Sequence, residues 1–167
     1  NARRGLLFGH QHKSRYRNWL KTPGVGGKVD TIVRPANTVG GFIQTTEFQS
    51  GLDALKAIVA ENTGRRVRAY GSRWSSNNMP YTDEVAVESC GLNYVRIGID
   101  EPSHLTAGYS SKGNLLAFSQ CGVILKLFNQ ALLEKGLALP TTGETDGQRM
   151  VGLTATGAHG ANTVFGA

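Results

Sequence analysis

The sequence predicts an α+β fold, and three observations predict it. A short β-branched run, residues 30–34, and a strand-like run, residues 66–70, flank one helical pattern and so make a βαβ unit. Several extended apolar runs lie between residues 85 and 120. A second amphipathic helical pattern follows them.

Taken in order, residues 1–28 read as an irregular basic arm that ends in the turn Pro23-Gly24-Val25-Gly26-Gly27-Lys28. That turn lacks the upstream Gly and the Ser/Thr after Lys that a phosphate loop needs, which excludes a P-loop. The run 30–34 is a strand closed by Pro35. Ser50 is an N-cap with Asp53 three residues on, and Leu52, Leu55, Ile58 and Val59 recur at helical spacing until Gly64 stops the helix. The strand 66–70 leads straight into Gly71. Extended segments are expected at 85–88, 94–99 and 115–120, with 105–109 a further candidate. A helix over 123–135 presents Ile124, Leu127, Phe128, Ala131 and Leu132 on one face, and Gly136 caps it. From Pro140 onward the chain is rich in Gly and Thr, too polar and too small for an ordinary core.

A chain of 167 residues, 40% apolar and 18% charged, is long enough for one domain with a real core and is not disordered in composition. Its 22 glycines lie among apolar runs, which points to tight turns and close backbone approaches rather than a linker. The formal charge is +6, and much of the excess sits in Arg3, Arg4, His10, His12, Lys13, Arg15, Arg17 and Lys21, interleaved with Phe8, Tyr16 and Trp19. Such a pattern raises a nucleic-acid reading, but no nucleic-acid module follows it, and an arm docking on its own protein is the preferred account. His10 and His12 have no evident third ligand, so no metal site is expected, and Cys90 and Cys121 have no metal spacing. Two cysteines leave the compartment undecided. Nothing reaches the length of a transmembrane run. The chain opens on Asn1 rather than Met, so a processed start, with secretion or periplasmic export, stays open.

Two Gly-rich segments carry candidate chemistry. Gly71, Ser72, Arg73, Trp74, Ser75 and Ser76 directly follow a strand; Gly71 permits an unusual backbone angle, successive N–H groups and hydroxyls can hold an anion, and Arg73 adds a charge-assisted contact. An ordinary serine-rich turn is the bland alternative. The second, Gly152-Leu153-Thr154-Ala155-Thr156-Gly157-Ala158-His159-Gly160, is small enough for backbone to approach a flat or extended ligand.

In this order and spacing the two segments resemble the vanillyl-alcohol-oxidase (PCMH-type FAD-binding) superfamily, above all its aldonolactone and alditol oxidase branch. That branch has an Asn-Trp segment, a βαβ unit and a Gly-Ser-Gly-His-Ser loop, matched here by Asn18-Trp19 and by Gly71-Ser72-Arg73-Trp74-Ser75. Later it runs through Gly-Leu-Ala-Leu-Pro to Ala-Thr-Gly-x-His-Gly, matched by residues 136–140 and 155–160. The resemblance covers residues 16–167. It implies a PCMH-type domain over residues 29–167, built of two α+β subdomains, with FAD between them and hydride passing from a substrate C–H to flavin N5. Residues 71–76 would hold the pyrophosphate. Gly143, Asp146, Gln148, Gly152, Thr156, Gly157, His159 and Gly160 would line the ribityl chain and flavin ring.

The departures carry expectations of their own. Arg73 replaces the family's second Gly and is strained if that position needs a positive φ. Trp74 replaces the His that links FAD covalently in relatives, and Leu139 stands where others have a Cys, so FAD is expected to be noncovalent. Gly143 occupies the place beside flavin C4a where Gly accompanies oxidase activity; a plain turn after Pro140 is the alternative. Family members run to more than twice this length, so a second polypeptide is expected to complete the FAD and substrate domains. No catalytic base is assigned, and His159 is read as structural or flavin-facing. The function implied is an FAD-dependent oxidase acting on a hydroxylated small molecule such as a sugar, alditol or lactone; the alternatives are a non-catalytic flavin-binding or interaction module and a basic nucleic-acid-binding protein.

Overall fold

The computed structural model describes residues 8–17, 21–35, 45–99 and 105–161, with backbone alone for 8–14 and 45–48. Asn18 and Trp19 therefore lie outside the described residues, as do the side chains of His10 and His12. The chain divides into two compact units, Asn1–Leu92 and Asn93–Ala167.

The first unit is built on a four-stranded sheet of order β1-β2-β4-β3, formed by β1 (Phe8–Tyr16), β2 (Gly27–Pro35), β3 (Val67–Tyr70) and β4 (Val85–Glu88). Helix α1 (Thr45–Glu61) connects β2 to β3, and β4 inserts between these two strands, parallel to both. The βαβ unit is thus present but split. Parallel strands covered on both faces need apolar residues at successive positions, and Val85, Ala86 and Val87 are all buried. On one face Val33, Val85 and Val87 pack with Ile58 of α1, flanked by Leu55 and Val67; on the other Ile32, Ala86 and Tyr70 pack with Val29 and Tyr16.

Strand β1 corrects the reading of residues 1–28 as irregular. Its sequence, FGHQHKSRY, lacks apolar alternation; it is an edge strand held by its antiparallel ladder to β2, with Tyr16 buried in the core. Register shifts between Gly9 and His12 and between His12 and Ser14 let Val29 and Ile32, three residues apart, join one cluster.

Helix α1 begins at Thr45, ahead of the expected Ser50 cap. Asp53 serves inside the helix instead, accepting a hydrogen bond from Gln49 Nε2 at 2.7 Å, one turn earlier. The buried stripe runs through Ala54 and Ile58, and Val59, expected on that stripe, is 62% exposed. Gly64, at φ 81°, ends the helix as expected.

In the second unit β5 (Val95–Ile97) pairs antiparallel with β6 (Ala117–Ser119), both shorter than expected. Residues 105–109 form bends and turns rather than a strand, with Tyr109 N–H donating to the Thr106 carbonyl, and a 3-10 turn (Ser110–Leu115) follows. Helix α2 (Leu125–Leu133) buries Leu125, Phe128, Ala131 and Leu132, whereas Leu127 is 55% exposed, so the face is rotated from the one expected. Gly136, at φ 68°, closes α2 as a paired C-cap in which Leu137 N–H donates to Leu132 O and Gly136 N–H to Leu133 O. A short helix α3 (Met150–Ala155) was not expected. Its Met150 and Leu153, with Leu137 and Leu139, pack on Val123, Leu125, Phe128 and Leu132, so the stretch after Pro140 does contribute to a core. No helix among the described residues is long and apolar enough to cross a membrane.

The neighbours Ile58 and Val59 test the orientation of α1. Ile58→Ala removes a side chain only 1% exposed and is expected to cost about 2–5 kcal/mol. Val59→Ala should stay within about 0.5 kcal/mol. Urea denaturation of the two variants measures both values.

Candidate functional site

β3 and β4 are neighbours and parallel, so no tight turn can join them. Residues 71–84 make the crossover. Its second half is fastened to the β1–β2 turn. Gly26 N–H donates to Asn78 Oδ1 (2.7 Å), Asn78 Nδ2 to the Gly24 carbonyl (3.1 Å) and Tyr81 Oη to the Lys28 carbonyl (3.0 Å), while Arg68 donates to the Met79 carbonyl. Glycine is required at this junction, because a Cβ on Gly27 would lie 2.4 Å from Tyr81 Oη and one on Gly26 2.3 Å from Tyr16 O.

The first half, Gly71 to Ser76, carries the candidate anion loop. The left-handed backbone falls at Arg73 (φ 63°) and not at Gly71, so the strain expected of Arg73 is present and the freedom assigned to Gly71 is not used. Trp74 and Ser75 are half-buried, and Ser75 Oγ lies 2.9 Å from Asn77 Oδ1 in a local turn. In the same unit Tyr16 and Tyr70 meet edge to face with ring centroids 5.4 Å apart. Burial, then the Glu88 carboxylate, push the Tyr70 hydroxyl up to about 12, with Arg73 opposing. Burial raises Tyr16 likewise, again against Arg73. Both phenols thus stay neutral and feel the Arg73 charge. The Tyr16 hydroxyl is buried with no hydrogen-bond partner. Neither tyrosine, nor Asn78, was singled out in the sequence.

The later segment lies in the second unit and is placed by the start of α2. That helix has no side-chain cap. Its first free N–H groups are met by backbone instead, Leu125 N–H donating to Gln148 O (2.9 Å) and Lys126 N–H to Asp146 O (3.0 Å). Met150 N–H to Val123 O, Val151 N–H to Cys121 O and Arg149 Nη1 to Gly122 O continue the seam. Backbone therefore fixes Asp146 and Gln148. Gln148 donates through Nε2 to Thr145 Oγ1, but its Oε1 is buried without a partner, as is Arg149 Nε. Arg149 carried no sequence signal beyond its charge.

The glycines of this segment divide by cause. Gly157 (φ 61°) terminates α3 in the same paired C-cap seen at Gly136, with Ala158 N–H on Leu153 O and Gly157 N–H on Thr154 O. Gly160 is forced by contact, since a Cβ there would lie 2.0 Å from Thr141 Oγ1. Gly143 and Gly152 have neither reason: no positive φ, and nothing nearer than His159 O at 4.0 Å to one and nothing within 4 Å of the other. Thr156 and His159 are exposed; Thr156 Oγ1 donates to Gly152 O, and His159 Nδ1 lies 3.0 Å from Gly160 O.

Among the described residues no group of three His, Cys, Asp or Glu could hold a metal. Cys90 and Cys121 are not joined in a disulfide, and burial pushes the Cys121 thiol up.

Replacing Arg73 by glycine tests the loop's strain. Arg73→Gly relieves the left-handed penalty, leaving stability unchanged or about 1 kcal/mol higher, whereas Arg73→Ala keeps the penalty. Thermal or urea unfolding of the pair distinguishes them, and a clear loss of stability in Arg73→Gly contradicts the assignment.

No family model matches the chain. Over 106 residues, 64% of the chain, it is 31% identical to an L-gulono-1,4-lactone dehydrogenase of Mycobacterium tuberculosis. Over 119 residues it is 24% identical to a D-arabinono-1,4-lactone oxidase of Yarrowia lipolytica. The chain spans only about a fifth of each of these relatives, 22% and 21%. In fold it matches cholesterol oxidase of Brevibacterium sterolicum with a TM-score of 0.61 at 13% identity, over 91% of this chain and 25% of that one. A solvent-stable cholesterol oxidase matches with a TM-score of 0.54 at 18% identity, over 90% of this chain and 25% of that one. Sequence similarity thus lies with a lactone dehydrogenase and a lactone oxidase, and the α+β fold is similar to part of cholesterol oxidase.

Proposed function

We propose that the chain is the FAD-binding part of a flavin-dependent oxidase acting on the CH–OH group of a small hydroxylated substrate, with a sugar, alditol or lactone as its class. Residues 29–167 form the incomplete FAD-binding domain, residues 1–28 an arm that adds β1 to its sheet, and a second polypeptide completes the FAD and substrate domains. The observation that carries the reading is the pair Gly143 and Gly152. Neither the backbone nor any neighbour requires glycine there, and both lie in one segment with a buried, unpartnered Gln148 Oε1. A buried acceptor without a donor costs about 1–3 kcal/mol, and a flat ligand bearing an N–H removes that cost while needing bare backbone beside it.

The residues present fit FAD on these grounds. Residues 71–76 would hold the pyrophosphate, with Arg73 supplying charge. Gly143, Asp146, Gln148, Gly152, Thr156, Gly157, His159 and Gly160 would line the ribityl chain and ring, with Gln148 Oε1 accepting from a ring N–H. When bound, FAD supplies the hydride acceptor; the chain's part is to bind and orient it. No residue here is assigned the substrate's proton.

FAD is held without a covalent bond, because Trp74 and Leu139 offer no linking nucleophile. Acid precipitation of the flavin-loaded protein should leave all yellow colour in the supernatant, and a chain heavier by one FAD would refute this. Trp74→Ala should weaken FAD retention.

Gly143 keeps a path open for oxygen. Gly143 is exposed and a Cβ there meets nothing closer than 4.0 Å, so Gly143→Ala should fold and keep FAD; once FAD and the second polypeptide pack over it, one methyl suffices to block a diatomic gas. With the complete protein, substrate should still reduce the flavin of this variant, while reoxidation by air slows by about tenfold or more, a barrier increase of about 1.4 kcal/mol. Unchanged reoxidation removes the oxidase assignment. A protein that takes up no FAD removes the whole reading.

A further inference from the structure

Four arginines of the Asn1–Leu92 unit are answered by oxygens. Arg34 pairs with Glu88, Arg65 with Asp30 at 2.5 Å, Arg66 with Glu84 at 3.5 Å and Asp83 at 3.8 Å, and Arg68 with the Met79 carbonyl. Arg15, Arg17 and Lys21 have no such partner among the described residues. These three line one concavity of about 200 Å³ over the β1–β2 turn, and no acidic side chain lines it with them.

The fold brings the three charges together. Side chains alternate along an extended chain. Tyr16 is 2% exposed, so its neighbours Arg15 and Arg17 share the outward side, where both are exposed. Lys21, in the left-handed region at φ 53°, lines the same hollow. The floor is fixed beforehand. Val25 N–H donates to Thr22 O, Gly26 N–H to Asn78 Oδ1, and Asn78 Nδ2 to Gly24 O. Three like charges held around a preformed hollow repel one another until an anion enters, and a hollow already ordered loses little freedom on binding.

We infer that this concavity binds the phosphate or pyrophosphate group of a small molecule, at a site separate from residues 71–76. Its small volume and its three converging charges suit one compact anion. A nucleic-acid backbone is met instead by cations spread along its length.

The test is calorimetric titration of the full chain, with whatever polypeptide accompanies it, by inorganic phosphate and inorganic pyrophosphate at low ionic strength. Both should bind, and the triple variant Arg15→Gln/Arg17→Gln/Lys21→Gln should weaken pyrophosphate at least tenfold. Arg65→Gln should stay within twofold. If the triple variant loses its near-ultraviolet circular dichroism, the single variants Arg15→Gln and Lys21→Gln, each expected to weaken binding severalfold, decide the matter. FAD titrated into the folded variants should bind as to the parent. No heat with either anion overturns the inference, as do equal weakening by Arg65→Gln and loss of FAD together with pyrophosphate. Tighter binding of duplex DNA than of pyrophosphate at the same salt overturns it in favour of a polymer surface.

Discussion

The first unit depends on one topological constraint: β4 lies parallel between β2 and β3. Parallel neighbours cannot be joined by a hairpin, so the chain must cross over twice, once through α1 and once through residues 71–84. The first crossing buries Ile58 and Ala54 against the valine face. The second has no helix to bury and is anchored instead through Asn78 and Tyr81 to the β1–β2 turn. Residues 71–76 lie before that anchor, with Arg73 in a strained backbone. Gly26 and Gly27 are where the second crossing meets the β1–β2 turn, and their missing side chains make the anchor sterically feasible.

A comparable economy governs the second unit. The N-terminus of α2 lacks a capping side chain, and the carbonyls of Asp146 and Gln148 take that role. The segment that resembles a flavin-lining strip is thereby held by its backbone, and its side chains are released from structural duty. Gln148 Oε1 and Arg149 Nε end buried without partners, a condition a finished protein interior rarely tolerates. α3 and the residues just after it leave Gly152, Thr156, Gly157 and His159 exposed, a surface of small groups with little bulk to exclude a flat molecule.

How much of this was legible in the sequence follows from what each signal measures. β4 and the core of α2 were readable because burial on two faces demands consecutive apolar residues at Val85–Val87 and a helical period at Phe128, Ala131 and Leu132. β1 was not, because an edge strand can be polar at nearly every position and still form its ladder. The start of α1 was misplaced because Ser50 has the chemistry of a cap, but capping preference is weak beside the packing of a helix stripe. α3 was missed because six residues are too few to display a period. At the site, Arg73 was identified as strained from one departure in a Gly-rich motif. The carbonyl caps from Asp146 and Gln148 left no trace in the sequence, since any residue carries a carbonyl.

The likeness in fold to cholesterol oxidase and the geometry of two small-residue segments support one proposal: bare backbone at residues 71–76 and across 143–160 is a surface for FAD. Hydrogen–deuterium exchange of the protein with and without FAD tests it most directly, because the two segments lie in different units and report independently. The account predicts that FAD slows exchange at both segments while amides of the buried stripe of α1 are unchanged. No slowing at either segment, or a uniform slowing across the chain, would contradict it.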